Sequence, residues 1–171
     1  YVNPYPLWHF GREDGPGFGP EKMPLDTQPE HLYYRHGPNS DDPWVVYKKE
    51  GEPYSTNWSY VYLSPGHPEV QAYLRKVLMD FVQRYDIDGV HYDRARSPGL
   101  EYSQDPVSLS RFEGAGNPNN LSWEDWQREQ IAKFLNDMAA EIHQVRPGIR
   151  LSGAVWGLYN RYEIPGYENF S

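Results

Sequence analysis

The sequence predicts an α/β protein built on a parallel sheet, and three observations carry that prediction. Two stretches repeat apolar residues at intervals of three and four, the period of a helix. Short apolar runs rich in β-branched and aromatic residues precede and follow them, as strands do. The long stretches without periodicity come after the strand-like runs, never after the helices. Strands that alternate with helices run parallel, and long loops at the strands' carboxyl ends put the working face there. At 171 residues the chain has length for one core and is expected to form a single domain.

Taken in order, Tyr1-Val2-Asn3-Pro4-Tyr5-Pro6-Leu7-Trp8 reads as the tail of a strand running into a loop, because its two prolines lack the N–H that a central ladder beyond Asn3 would need. From His9 to Ser59 there is turn chemistry and no sustained period, a run of about 50 residues that is too long for an ordinary connection and is therefore either functional or home to elements that no period announces. It carries Tyr33, Tyr34, Trp44, Tyr47, Tyr54 and Trp58, which suit a substrate-facing loop. Tyr60 to Leu63 forms a short strand at its end. Pro68 stands at a first helical position with Glu69 in the positive first turn, and Val70, Tyr73, Leu74, Val77, Leu78, Phe81 and Tyr85 predict a helix of roughly 17 residues. A strand from Ile87 to Tyr92 follows and ends on Asp93. Between Ser97 and Leu121 lies a second loop rich in Pro, Gly, Ser and Asn. Ser122-Trp123-Glu124-Asp125 resembles a capping box, and Trp126, Ile131, Phe134, Leu135, Met138, Ala139 and Ile142 mark the apolar face of a second helix. Pro147-Gly148 stops it. A last strand, Ile149 to Gly157, leads into a terminal loop, for about three βα units in all.

Composition excludes several partners. Net charge is −8, from 24 acidic against 16 basic residues, and no basic stripe exists to follow a nucleic-acid backbone. No apolar run approaches the roughly 18 residues of a membrane span. There is no cysteine for disulfide or thiolate chemistry, no Gly-rich phosphate loop and no Gly-x-Ser-x-Gly elbow. The chain opens on Tyr1 without a Met, so a leader removed from ahead of it is compatible with the sequence. Its 15 Tyr and 6 Trp keep a polar handle on an apolar body, a surplus that suits stacking on carbohydrate.

The chemistry is expected around Tyr85-Asp86-Ile87-Asp88-Gly89-Val90-His91-Tyr92-Asp93-Arg94. Strand alternation puts Asp93, His91 and Gly89 on one side and Tyr92, Val90 and Asp88 on the other. Asp93 and His91 fall at the carboxyl end, where ligands bind in parallel α/β folds, although an isolated Asp at that place equally suits a cap that satisfies loop amides. Asp88, at the opposite end with the other parity, is structural. A competing reading takes His91 and Asp93 as two metal ligands with His9, His36 or His67 as a third, which would make a metal-dependent hydrolase or deacetylase. His67 falls at a helix start, away from the strand mouths.

Tyr62-Leu63-Ser64-Pro65-Gly66-His67-Pro68-Glu69-Val70, followed by Tyr85 to Asp93, resembles the signature of the glycosyl-hydrolase-like 10 family. Asn3-Pro4 after a strand, Trp126 with Arg128, Arg146-Pro147 and Ser152 through Gly157 fit the same pattern, so the likeness runs from Asn3 to about Tyr159. It implies a (β/α)8 barrel, and since such barrels take about 250 residues, this chain would be the central portion of the catalytic domain, cut at both ends. It implies glycoside hydrolysis of a polysaccharide or peptidoglycan-like glycan, which generally takes two carboxyl groups, and no cofactor. Asp93 is the candidate for the ionised one, and His91, two residues earlier on the same side, is the catalytic neighbour expected to hydrogen-bond the sugar or the carboxylate and hold it in place. The acid falls to Glu163, with Glu101 and Asp105 as competitors. Asn3, Tyr5, Arg94, Trp156 and Tyr159 are the candidates for lining the substrate crevice, although Trp156 fits a core aromatic equally well. Arg94 departs from the family, which often has a second acidic residue there. A carbohydrate-binding barrel without catalysis is the remaining alternative. An extracytoplasmic location, secreted, periplasmic or envelope-associated, follows from the resemblance alone, and nothing in the sequence sets an oligomeric state.

Overall fold

The structure, a computed structural model, describes residues 1–9, 29–48, 51, 53, 60–96, 99 and 102–155. Its elements in order are β1 (Pro6–His9), α1 (Leu32–His36), β2 (Tyr60–Tyr62), α2 (Pro68–Arg84), β3 (Gly89–Tyr92), α3 (Pro106–Glu113), α4 (Trp123–Val145) and β4 (Arg150–Gly153). The mixture is α/β, as the sequence predicts.

β3 lies in the middle of the parallel part. On one side it pairs in parallel with β4, Gly89 to Arg150 through Tyr92 to Gly153. On the other side Val2 bridges to Tyr92 in parallel, with the Val2 amide donating to the His91 carbonyl (2.9 Å) and the Asp93 amide to the Val2 carbonyl (2.8 Å). Three parallel segments therefore stand side by side in chain order. Gly89 is needed here: a Cβ on it would lie 2.8 Å from the Arg150 carbonyl oxygen.

The two long helices cover one face of this sheet. α2 starts where Pro68 needs no amide partner and where His67 Nδ1 accepts from the Glu69 amide (3.3 Å). Its buried stripe is Val70, Leu74, Leu78 and Val82, at steps of four; Tyr73, Val77 and Tyr85, counted with the apolar face from sequence, are exposed. α4 starts at Ser122, whose hydroxyl accepts from the Asp125 amide (3.2 Å) and donates to the Asp125 carboxylate (2.9 Å). It buries Trp126, Ile131, Phe134, Met138 and Ile142, and also Gln127 and Gln130. Val90 and Tyr92 point into this core, which leaves His91 on the opposite face of the sheet.

The helices run parallel, as two βα units in sequence require. Arg75 pairs with Glu141 (2.7 Å), and just beyond the helices' ends the Arg146 guanidinium donates to the Tyr85 carbonyl (2.6 Å) and the Asp86 carboxylate (2.7 Å).

Three expectations are corrected. The prolines do not end strand structure at Asn3: β1 forms beyond them, antiparallel to β2, because a two-stranded edge with an irregular register needs no N–H from Pro6. The run after His9 holds α1 and the isolated bridges of Val45 to Leu63 and Tyr47 to Pro53, among the described residues. The loop after β3 holds α3, whose N-cap is Asp105 with Pro106 in the first turn.

Candidate active site

The site grows from alternation along β3. With Val90 and Tyr92 committed to the helices, His91 and Asp93 are carried to the other face, toward the carboxyl end. β4 adds Ser152 directly beside His91, and the segment through Val2 adds Tyr1 and Asn3, both exposed.

The first turn beyond β3 fixes Asp93. Arg94 adopts a left-handed backbone (φ 52°), unusual for a residue with a long side chain, and its amide donates to Asp93 Oδ1 (2.9 Å). Asp93 Oδ2 has no hydrogen-bond partner among the described residues. One carboxylate oxygen is thus held by the backbone, while the other is left without such a bond. The Arg94 guanidinium reaches toward the Tyr62 hydroxyl (3.5 Å), and Arg96 donates to the Ala154 carbonyl (3.3 Å), tying the turn to its neighbours on both sides.

His91 has two neighbours on this face. Its Nδ1 lies 2.9 Å from the Ser152 hydroxyl, and the Tyr1 ring meets its ring in an edge contact, centroids 4.7 Å apart at 60°. A half-buried carboxylate beside an imidazole and an exposed aromatic ring can bind a polyhydroxyl ligand and accept a proton or attack an electrophilic carbon.

The structure brings Asp93, His91, Arg94 and Asn3 to this end of the sheet, but it removes Tyr5 from the substrate-binding set. Tyr5 is 0 % exposed and packs on Phe134 (centroids 6.0 Å), so no ligand can touch it. The chain bends through Pro4, and the ring that follows enters the core between sheet and helices. Asp105 is removed from the candidate acids. It is 1 % exposed and caps α3, accepting from the Ser108 amide (2.9 Å) and the Ser64 hydroxyl (2.5 Å). Glu163, Trp156, Tyr159, Glu101 and the strand residues beyond Val155 lie outside the described residues. Asp88 is at the amino end of β3, its carbonyl accepting from the Arg150 amide (3.1 Å).

The metal reading finds no support among the described side chains, which do not include that of His9. His67 caps α2, and burial lowers its pKa against the pull of Asp105. His36 stacks on Trp44, rings 3.6 Å apart. Among the described residues no three His, Asp or Glu side chains converge. Sequence reasoning missed Ser152 and Tyr1. Ser152 has the right parity within its strand, but only the register against β3 sets it beside His91.

The family model described as "Glycosyl hydrolase-like 10" matches residues 36–170, well over half of the chain. The chain belongs to this family. The Glycosyl hydrolase-like 10 match agrees with the likeness drawn from Tyr62 to Val70 and Tyr85 to Asp93. Among curated proteins, the chain is 26% identical over 152 residues to glycosyl hydrolase DigH of Escherichia coli K12, covering 86% of this chain and 34% of that protein. The protein of the same name from Shigella flexneri matches equally well. Glycosyl hydrolase YngK of Bacillus subtilis is 24% identical over 99 residues, 58% of this chain and 19% of that protein. This Glycosyl hydrolase-like 10 chain therefore spans about a third of the length of the first relatives it matches.

Proposed function

We propose that the chain is a sector of a (β/α)8 barrel that hydrolyses O-glycosidic bonds in a polysaccharide or peptidoglycan-like glycan, outside the cytoplasm, with Asp93 as the ionised carboxylate. The observation that carries this reading is the Asp93 carboxylate itself: it stands beyond the carboxyl end of the central parallel strand, with Oδ1 pinned by the Arg94 amide and Oδ2 left without such a bond. A carboxylate so held is oriented before substrate arrives, which is how a nucleophile or base acts without first losing rotational freedom.

In this proposal Asp93 attacks the anomeric carbon or takes the proton from the water that does. A second carboxyl group gives its proton to the departing sugar oxygen, and Glu163, in the stretch after β4, is the proposed donor. Tyr1 and Asn3 flank Asp93 across the sheet and contact neighbouring sugar rings and hydroxyls. The family membership and the relatives' names support the reaction class, and three adjacent parallel segments with helices on one face support the barrel.

The test is Asp93→Asn in the whole protein, assayed on peptidoglycan strands by counting new reducing ends. Turnover should fall about a thousandfold with an unchanged circular dichroism spectrum. Full activity in the variant refutes the assignment. Saturable glycan binding with no product from the unaltered protein would instead favour a barrel that only binds.

A further inference from the structure

We propose that Ser152 is the positioning residue for His91, holding the imidazole so that its Nε2 meets a sugar hydroxyl over Asp93. The proposal rests on the reading of Asp93 as a glycosidase carboxylate.

β3 and β4 pair in parallel with His91 opposite Ser152, and both side chains stand on the face away from the helices. A histidine on an open strand face has its first torsion limited by the strand, but its ring rotation is left free. Here the Ser152 hydroxyl lies 2.9 Å from Nδ1, on a side chain with a single torsion that the strand already confines. The exposed Tyr1 ring lies 4.7 Å from the imidazole centroid. Nδ1 is thereby occupied, and Nε2 has no partner among the described residues. A hydroxyl donates or accepts with equal ease, so the pair persists in either neutral tautomer, while Nε2 takes the complementary role toward the ligand.

Magnitude separates this role from a structural one. Ser152 is exposed and its bond to His91 faces solvent, so it adds little to folding, where even an average hydrogen bond nets only about 1 kcal/mol. If the contact matters, it matters by removing orientations of the ring that cannot reach the substrate. The loss should therefore fall on turnover, with little change in stability or ground-state binding.

The experiment is a cycle of Ser152→Ala, Ser152→Thr and His91→Ala in the whole protein, with peptidoglycan strands as substrate. Ser152→Ala should lower kcat about tenfold with KM and melting temperature nearly unchanged, as expected for one lost orienting bond. Ser152→Thr, which keeps the hydroxyl, should restore most of it, and the His91→Ala, Ser152→Ala double variant should be no worse than His91→Ala alone. Wild-type kcat in Ser152→Ala, or losses that add in the double variant, overturns the proposal. The imidazole 15N signals of His91 give a second readout that needs no activity. The Nδ1 signal should lose its hydrogen-bond shift in Ser152→Ala and regain it in Ser152→Thr, and an unmoved Nδ1 signal also overturns the proposal. An inactive wild-type protein refutes the glycosidase reading, and the 15N result then decides the positioning claim separately.

Discussion

Tyr5 and Tyr1 stand four residues apart and do opposite things. Tyr1 is exposed against His91, whereas Tyr5 is sealed in the core with its hydroxyl unpartnered among the described residues. A buried hydroxyl without a partner costs free energy, so Tyr5→Phe should be neutral or stabilising by about 1 kcal/mol in urea unfolding. A loss above about 2 kcal/mol would show that the hydroxyl has a partner after all. Tyr92 has the same problem to a lesser degree: burial pushes its phenol up to about 12, from the ordinary 10.0. The sign follows from linkage. Below pH 10 both folded and unfolded chains keep the proton, and the full stability is present. As pH rises from 10 through about 12 the unfolded chain ionises first, so folding weakens across that window. Tyr92→Phe should remove part of that alkaline loss, read as a smaller drop in urea midpoint between pH 9 and pH 11 than in the unaltered protein.

At the scale of elements, α3 and the two long helices depend on single polar residues. Asp105 caps α3 and at the same time takes the Ser64 hydroxyl from the segment after β2; Ser64 and Ser108 are themselves 3.2 Å apart and fully buried. Asp105→Ala removes a cap and strands a buried hydroxyl, which should cost about 3 kcal/mol in urea unfolding, while a cost under about 1 kcal/mol would mean that the cluster repacks. Arg146 plays the equivalent part at the other end, joining the end of α4 to the Tyr85 carbonyl and the Asp86 carboxylate. The long helices were readable because a period sustained over four turns or more leaves little choice of structure. α3 was not, although Asp105-Pro106 is an ordinary start signal. Its eight residues bury only Ser108 and expose Val107, so no apolar stripe announces it. α1, at five residues, is too short to show a period at all.

For the whole molecule, the parallel order and the end of the sheet that bears Asp93 and His91 could be read from one chain of residues, because they follow from alternation and from where the loops fall. What could not be read were contacts set by register between strands: Ser152 beside His91, β1 against β2, and Tyr5 turned into the core beyond Pro4. Those depend on how segments about 50 residues or more apart slide past each other, which no local pattern encodes. The central place of β3 has a measurable counterpart. The Asp93 amide, bonded to the Val2 carbonyl, and the Ala154 amide, bonded to the Tyr92 carbonyl, should be among the slowest of the strand-end amides in hydrogen exchange. Rapid exchange at Asp93 would mean that the Val2 segment detaches in solution.

Gly66 lies against this same buried cluster: a Cβ there would sit 2.2 Å from the Ser108 hydroxyl and 3.0 Å from the Trp126 ring, and Arg111 donates to its carbonyl. Chain length is therefore frozen on either side of that junction. Natural insertions and deletions among related proteins should collect between β3 and Tyr102, and they should spare the few positions from Ser64 to His67 where an added residue would have nowhere to go.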